Sequence, residues 1–182
     1  MHGQEMIHGD LKGVRPIPCD NPGSPYPPSP CIKANILIDH NGHAQLADFG
    51  LLTIISDPAY TTMTFSSHIS GGTVRWMSPE LLAPEQSGRQ DSRPTKFSDC
   101  YALGMVIYEV LSGRVPFDQL RDTIVMRRVP EGLRPERPQG EEGAWFTDWL
   151  WVMVERCWIA RPDDRPSVDA VLEYLRPRAD GG

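Results

Sequence analysis

The sequence predicts an α+β fold that is mostly α: one small β-hairpin followed by a helical bundle. Three observations carry this expectation. Two apolar runs flank Asn41-Gly42, a pairing that marks hairpin turns. The segment from Ser98 to Leu111 is apolar almost all round, which is the pattern of a helix buried on every side. Near the end, Val168, Val171, Leu172 and Leu175 recur at spacings of three and four, the period of an amphipathic helix.

Taken in order, Ile36 to Ala47 forms the hairpin, and Asp48-Phe49-Gly50 follows at once. Thr53 to Ser70 is rich in Ser and Thr and has no helical period, so it reads as a mobile loop. Its hydroxyls read as loop filler rather than regulatory phosphosites. Ser78-Pro79-Glu80-Leu81-Leu82 carries a helix-start signature: a cap, Pro at the first helical position, then an acid near the positive helix end. Ser87 to Pro94 is polar loop. Ser98 opens the long helix and Gly113 stops it. A shorter amphipathic helix covers Gln119 to Arg128, with Arg127-Arg128 on a solvated face. Trp145 to Trp158 is an aromatic-heavy helix, whose Trp145, Trp149, Trp151 and Trp158 read as core rather than as a binding platform. The last helix begins near Ser167.

Composition bounds the function. The chain has 182 residues, 40% hydrophobic and 23% charged, which fits one globular domain. A net charge of -6 argues against a nucleic-acid partner. The four cysteines, Cys19, Cys31, Cys100 and Cys157, form no CxxC pair and have no histidine at zinc spacing. Scattered thiols fit a reducing compartment, so the expected location is cytoplasmic. Met1 to Glu5 shows no secretory signal, and the apolar stretch Ala102 to Val110 carries Glu109 and is too short to span a bilayer. No membrane partner is expected. Seven of the 18 prolines fall between Pro16 and Pro30. That stretch excludes helix and central strand and reads as an extended, disordered insert.

His8-Gly9-Asp10-Leu11-Lys12, Ala34-Asn35-Ile36-Leu37-Ile38 and Asp48-Phe49-Gly50 resemble the catalytic and magnesium-binding loops of eukaryotic protein kinases. Gly72 to Glu80 resembles the end of their activation segment, and Ser98 to Gly104 their central buried helix. Cys157-Trp158 with Arg161 to Ser167 resembles the last helical turn. One such motif would be weak evidence, since Asp10 beside Lys12 alone reads as a surface pair and Asp48 alone as a turn residue. Their order along one chain is what carries the resemblance. The wording around Arg75-Trp76-Met77 is similar to the tyrosine-kinase-like group, whose members are mostly Ser/Thr-specific.

The resemblance implies a C-terminal kinase lobe and a protein Ser/Thr kinase reaction with ATP and Mg²⁺ as cofactors and a protein substrate. Asp10 would orient the substrate hydroxyl and accept its proton, Lys12 would neutralise the transferring phosphate, and Thr73 would brace both. Asn35 and Asp48 would hold Mg²⁺ through hard oxygens. Leu37 would lie under the adenine, and His8 and Phe49 would stack in the apolar spine. Asp99 would cap the catalytic-loop backbone, and Glu80 and Arg165 would form a buried ion pair. The non-catalytic alternative is a kinase-like (pseudokinase) binding module.

Three departures from the family pattern stand out. Only seven residues precede His8, so the N-terminal lobe, with its Gly-rich loop and strand lysine, is expected to be missing. The fragment is expected to be inactive, poorly stable and aggregation-prone by itself. Gly9 stands where the family has an Arg that reads activation-loop phosphate. Residues 14–33 interrupt a partial kinase domain over 1–176, ahead of a disordered tail at 177–182. Without Val14 to Lys33 the catalytic loop reads unbroken. Lengthening it costs only roughly 1.4 kcal/mol in closure entropy, but sterically the insert is worse, because it leaves from beside the phosphate site. The insert reads as a retained intron; the rival reading is a docking segment for a proline-binding module, through Pro25-Tyr26-Pro27-Pro28.

Overall fold

A computed structural model describes residues 6–16, 35–39, 41, 43–47, 53–54, 73–88 and 93–176. Among the described residues five short strands precede the helices: β1 (Met6–Ile7), β2 (Val14–Pro16), β3 (Ile36–Ile38), β4 (Ala44–Leu46) and β5 (Thr53–Ile54). The expected hairpin is β3–β4, antiparallel with Ile38 opposite Ala44. Asp39 closes it: its N–H donates to the His43 carbonyl at 2.9 Å, and its carboxylate takes the N–H groups of Asn41 and His43. An Asp at this position competes well for turn amides.

Two strands correct the sequence reading. Thr53 and Ile54 are not loop but β5, antiparallel to β1 with Ile7 opposite Thr53. Their β-branched side chains suit a strand, and the partner lies too far back in sequence for any local period to reveal it. The rest of that Ser/Thr-rich span, to Ser70, lies outside the described residues. Val14–Pro16 pairs parallel with β3, as the edge of the order β2-β3-β4. An edge is where a strand proline is tolerated. The remainder of the Pro-rich stretch and the 177–182 tail lie outside the described residues.

Among the described residues five α-helices follow: α1 (Pro79–Leu82), α2 (Lys96–Ser112), α3 (Asp122–Arg128), α4 (Asp148–Cys157) and α5 (Val168–Leu175). Helix α2 is the axis of the lobe. It starts at Lys96, two residues before the expected Ser98, because Thr95 is the cap. The Thr95 hydroxyl accepts the Ser98 N–H at 3.2 Å, and the Ser98 hydroxyl accepts the Thr95 N–H at 2.8 Å. This reciprocal box satisfies two orphan amides. Gly113, at φ 68°, ends the helix in the left-handed region.

The expectation that α2 is buried on every side holds for its first half only. Ser98 to Ala102 are buried in unbroken succession, with Gly104, Met105 and Val106 beyond them. Val110 is 56% exposed, so the last turns have an open side. The core gathers Val74, Trp76, Tyr101, Met105, Val125, Val154 and Val171 around this axis.

Helix α4 packs on α2 at Gly104. A Cβ there would stand 2.7 Å from Trp158 Nε1 and 2.8 Å from Cys157 Cβ. We expect Gly104→Ala to lower stability by about 1–3 kcal/mol, the usual range for overpacking, read as a shift of the urea midpoint. An unchanged midpoint would show that the two helices separate freely.

Other boundaries moved. Helix α3 begins at Asp122 rather than Gln119, after a turn in which Phe117 takes φ 56°. Helix α4 begins at Asp148 rather than Trp145. Ser78 occupies the N-cap position of α1, yet its side chain makes no capping bond and its buried hydroxyl has no partner. Only part of the tryptophan expectation stands. Trp158 is buried, and Trp151 meets it edge-on at 5.7 Å. Trp145 and Trp149 are 70% and 50% exposed. In α5 only Val171 is fully buried, while Val168 and Leu172 face outward, and Ser167 caps through Ala170 N–H.

Candidate active site

The β1 strand delivers the chain to His8, and the loop beyond it is fixed from below by α2. The Asp99 carboxylate accepts the N–H of His8 at 2.7 Å and of Gly9 at 2.9 Å. Gly9 holds φ 77°, a conformation glycine adopts without Cβ strain. The His8 ring sits 3.4 Å from the Ala47 carbonyl and takes the Asp10 N–H at 3.3 Å.

Four polar side chains then converge. Lys12 Nζ donates to Asp10 Oδ2 and to Thr73 Oγ1, both at 2.8 Å. Asn35 Nδ2 donates to the Asp10 carbonyl at 2.6 Å and to Asp10 Oδ2 at 2.9 Å. Asp10, Lys12, Asn35 and Thr73 are all buried. An ion pair this deep holds only with good geometry and further hydrogen bonds, and Thr73 and Asn35 supply them. Thr73 comes from a short 3-10 turn, Thr73–Trp76.

Asn35 also answers the question of a cation. Its amide NH₂ donates to Asp10, and the other end of the group is a carbonyl oxygen. That is a hard donor of the kind Mg²⁺ takes, so this residue fits the ion. The second expected ligand, Asp48, lies outside the described residues, as does Phe49. Leu37 lies on β3, half-buried, opposite Gln45 of β4 and Arg15 of β2.

Sequence reading did not identify Arg75 as an anchor. Its guanidinium donates to the carbonyls of Pro116, Phe117 and Leu120 and pairs with Asp122 at 2.9 Å. One side chain thus ties the segment carrying Thr73 to the start of α3. No sequence signal links positions so far apart. Tyr101 also escaped notice: the guanidinium groups of Arg134 (5.3 Å) and Arg165 (5.2 Å) both lie over its ring. Burial pushes its phenol up to about 12.

Burial raises the Asp99 carboxyl above its ordinary 3.8, and the bonds from Gly9 and His8 pull it back only in part. Folding therefore penalises the charged form. The penalty is absent below about pH 4, grows as pH rises through the unfolded value, and is complete above the folded one. Asp99→Asn cannot titrate and loses one of the two acceptors. We expect the stability gap between wild type and Asp99→Asn to be widest in acid and to narrow toward neutrality, measured by urea unfolding at a series of pH values. A gap that widens with pH would reverse the assigned shift.

Residues 32–175 match the family model of protein tyrosine and serine/threonine kinases. The chain is 32% identical over 150 residues to the serine/threonine-protein kinase mos of Patiria pectinifera, covering 81% of this chain and 39% of that protein. It is 33% identical over 184 residues to the serine/threonine-protein kinase PkaA of Streptomyces coelicolor, covering 99% and 27%. It is 32% identical over 148 residues to the receptor-interacting serine/threonine-protein kinase 2 of Bos taurus, covering 79% and 26%. The chain spans less than half the length of each of these relatives. Among the described residues no helix is long and apolar enough to cross a membrane.

Proposed function

Because this chain belongs to the protein tyrosine and serine/threonine kinase family, we propose that it carries the catalytic loop of a protein kinase that moves the γ-phosphate of ATP to Ser and Thr hydroxyls. The observation that carries the reading is the buried cluster of Asp10, Lys12, Asn35 and Thr73, in which Lys12 bonds Thr73 across 61 positions of sequence. Phosphoryl transfer asks for placement and charge neutralisation more than for covalent chemistry, and this cluster offers both.

In this reading Asp10 receives the proton of the substrate hydroxyl. Lys12, held between Asp10 and Thr73, neutralises charge on the transferred group. Asn35 and Asp48 hold Mg²⁺, which when bound screens the phosphates, and Leu37 lies beneath the adenine. Lys12 two positions after Asp10, with Thr73 as its second partner, favours Ser/Thr over Tyr as acceptor. The cluster contains no Gly-rich phosphate cradle, so a nucleotide-binding lobe outside these residues is needed to complete the ATP site.

The test uses radiolabelled ATP, Mg²⁺ and a Ser/Thr-containing protein. The chain is compared with a longer polypeptide that includes a nucleotide-binding lobe. Label on Ser and Thr in the longer protein, and none from this chain alone, is the expected result. A longer protein with no affinity for MgATP overturns the enzyme reading in favour of a non-catalytic binding module.

A further inference from the structure

We propose that Cys100 and Cys157 form a redox-responsive dithiol, which hydrogen peroxide converts to a disulfide that ties α2 to the end of α4. The proposal does not depend on the kinase reading, since it concerns the packing of two helices and not the Asp10 cluster.

The first observation is contact between the two thiols. Cys100 and Cys157 are free cysteines with no exposed surface, and both belong to the core around α2. Their side chains hydrogen-bond to each other. The meeting point is the glycine seat between the helices. Cys157 Cβ lies 2.8 Å from where a Cβ on Gly104 would stand, and Cys100 lies one turn back on the same face of α2. A disulfide needs Cβ atoms about 3.5–4.5 Å apart, and thiols that touch across such a seat are placed for it.

The second observation is that the two sulfurs differ. The bond from Cys157 holds the Cys100 thiol below its ordinary range, burial opposes this, and the Arg165 guanidinium lowers it further. The same bond, together with burial, pushes the Cys157 thiol well up. Cys100 is therefore the attacking sulfur and Cys157 the resolving one.

The step balances with one peroxide. The Cys100 sulfur attacks a peroxide oxygen, the O–O bond breaks, and the departing hydroxide leaves as water with the Cys100 proton. Cys100 is now a sulfenic acid. The Cys157 sulfur then attacks the Cys100 sulfur, the S–S bond forms, the S–O bond breaks, and a second water carries off the Cys157 proton. Two thiols are oxidised and one peroxide is reduced.

The closed lobe covers both sulfurs, so oxidation waits on α4 lifting from α2. Helix α4 has ten residues and buries one face, through Leu150, Met153, Val154 and Cys157, while Trp149 and Val152 are half exposed. Local openings of this kind require less than global unfolding. The bridge then fixes the helix that opened.

The test uses the full chain with Cys19→Ser and Cys31→Ser, which leaves this pair as its only thiols. It is treated with hydrogen peroxide in the presence of dimedone, which traps sulfenic acids, in buffer and again in concentrated urea. In buffer the intact mass should fall by two hydrogens, and a digest should yield a peptide joining Cys100 to Cys157. Dithiothreitol should reverse both changes, and the oxidised protein should show the higher urea midpoint. In urea the same protein should take up dimedone instead. Adding Cys157→Ser should place dimedone on Cys100 in buffer as well. The comparison of buffer with urea needs no change at either cysteine, so it decides even where that variant fails to fold. Thiols that stay reduced in buffer while urea exposes them to oxidation overturn the proposal. So does oxidation of a single cysteine without a crosslink in buffer, or a crosslink that lowers the urea midpoint.

Discussion

Glu80→Ala should destabilise this protein by about 3–5 kcal/mol, the range for stripping one partner from a buried ion pair. Arg165 Nη1 and Nη2 donate to the two Glu80 oxygens at 2.7 and 2.8 Å, and both side chains are fully buried. The remaining N–H groups of Arg165 reach the carbonyls of Ile159 (2.8 Å), Phe97 (2.9 Å) and Ala160 (3.2 Å). A guanidinium has five donors, and all five are used. Without Glu80 the cation stays buried with no counter-charge and two idle donors.

The double variant Glu80→Leu with Arg165→Met separates two accounts of this pair. Apolar replacement of both partners often restores stability elsewhere. Here it should not do so fully, because three part-buried carbonyls lose their donor at the same time. Urea midpoints for the single and double variants decide the matter. A double variant as stable as wild type would show that the carbonyl bonds contribute nothing. The exposed pair Arg176–Glu173, at 2.9 Å with side chains 64% and 72% exposed, serves as the control and should hardly move the midpoint.

The second large effect concerns chemistry and rests on the proposed function. In a kinase polypeptide that contains this lobe, Asp10→Asn should lower kcat by about 10²–10⁴, the usual contribution of a positioned base. Asp10 Oδ2 accepts from both Lys12 Nζ and Asn35 Nδ2. An asparagine oxygen can keep one or both of these bonds but cannot take a proton. Nucleotide affinity and melting temperature should therefore stay near wild type while turnover falls. Thr73→Ala probes the brace: Lys12 loses the Thr73 hydroxyl as an acceptor and keeps the Asp10 carboxylate, and turnover should fall less than for Asp10→Asn. Unchanged turnover in Asp10→Asn would remove Asp10 from the proton-transfer role.

Much of the lobe was legible because its signals are local. The hairpin at Ile36 to Ala47, the long helix stopped by Gly113, and the Ser167 cap of the last helix each depend on a few neighbouring residues. The order of the short motifs along the chain identified the family before any contact was known. Asp99 under the His8–Gly9 backbone, and the Glu80–Arg165 pair, were expected from that resemblance and found in the geometry.

What the sequence could not supply is whatever depends on a distant partner. Thr53 and Ile54 become strand only because Met6 and Ile7 lie beside them. Trp145 and Trp149 look as apolar as Trp158, yet only Trp158 is covered, because α2 passes over it at Gly104. Val110 continues the apolar run of α2 and still lies open, since no neighbour among the described residues covers its side. Arg75 is one charged residue among many until the turn at Pro116 to Leu120 brings three carbonyls to it. By itself the sequence determined which residue types stand ready and in what order, because capping, period and turn chemistry act over a few residues. Only the tertiary structure decided which faces are covered and which polar groups meet, because burial and hydrogen-bond pairing belong to two segments at once.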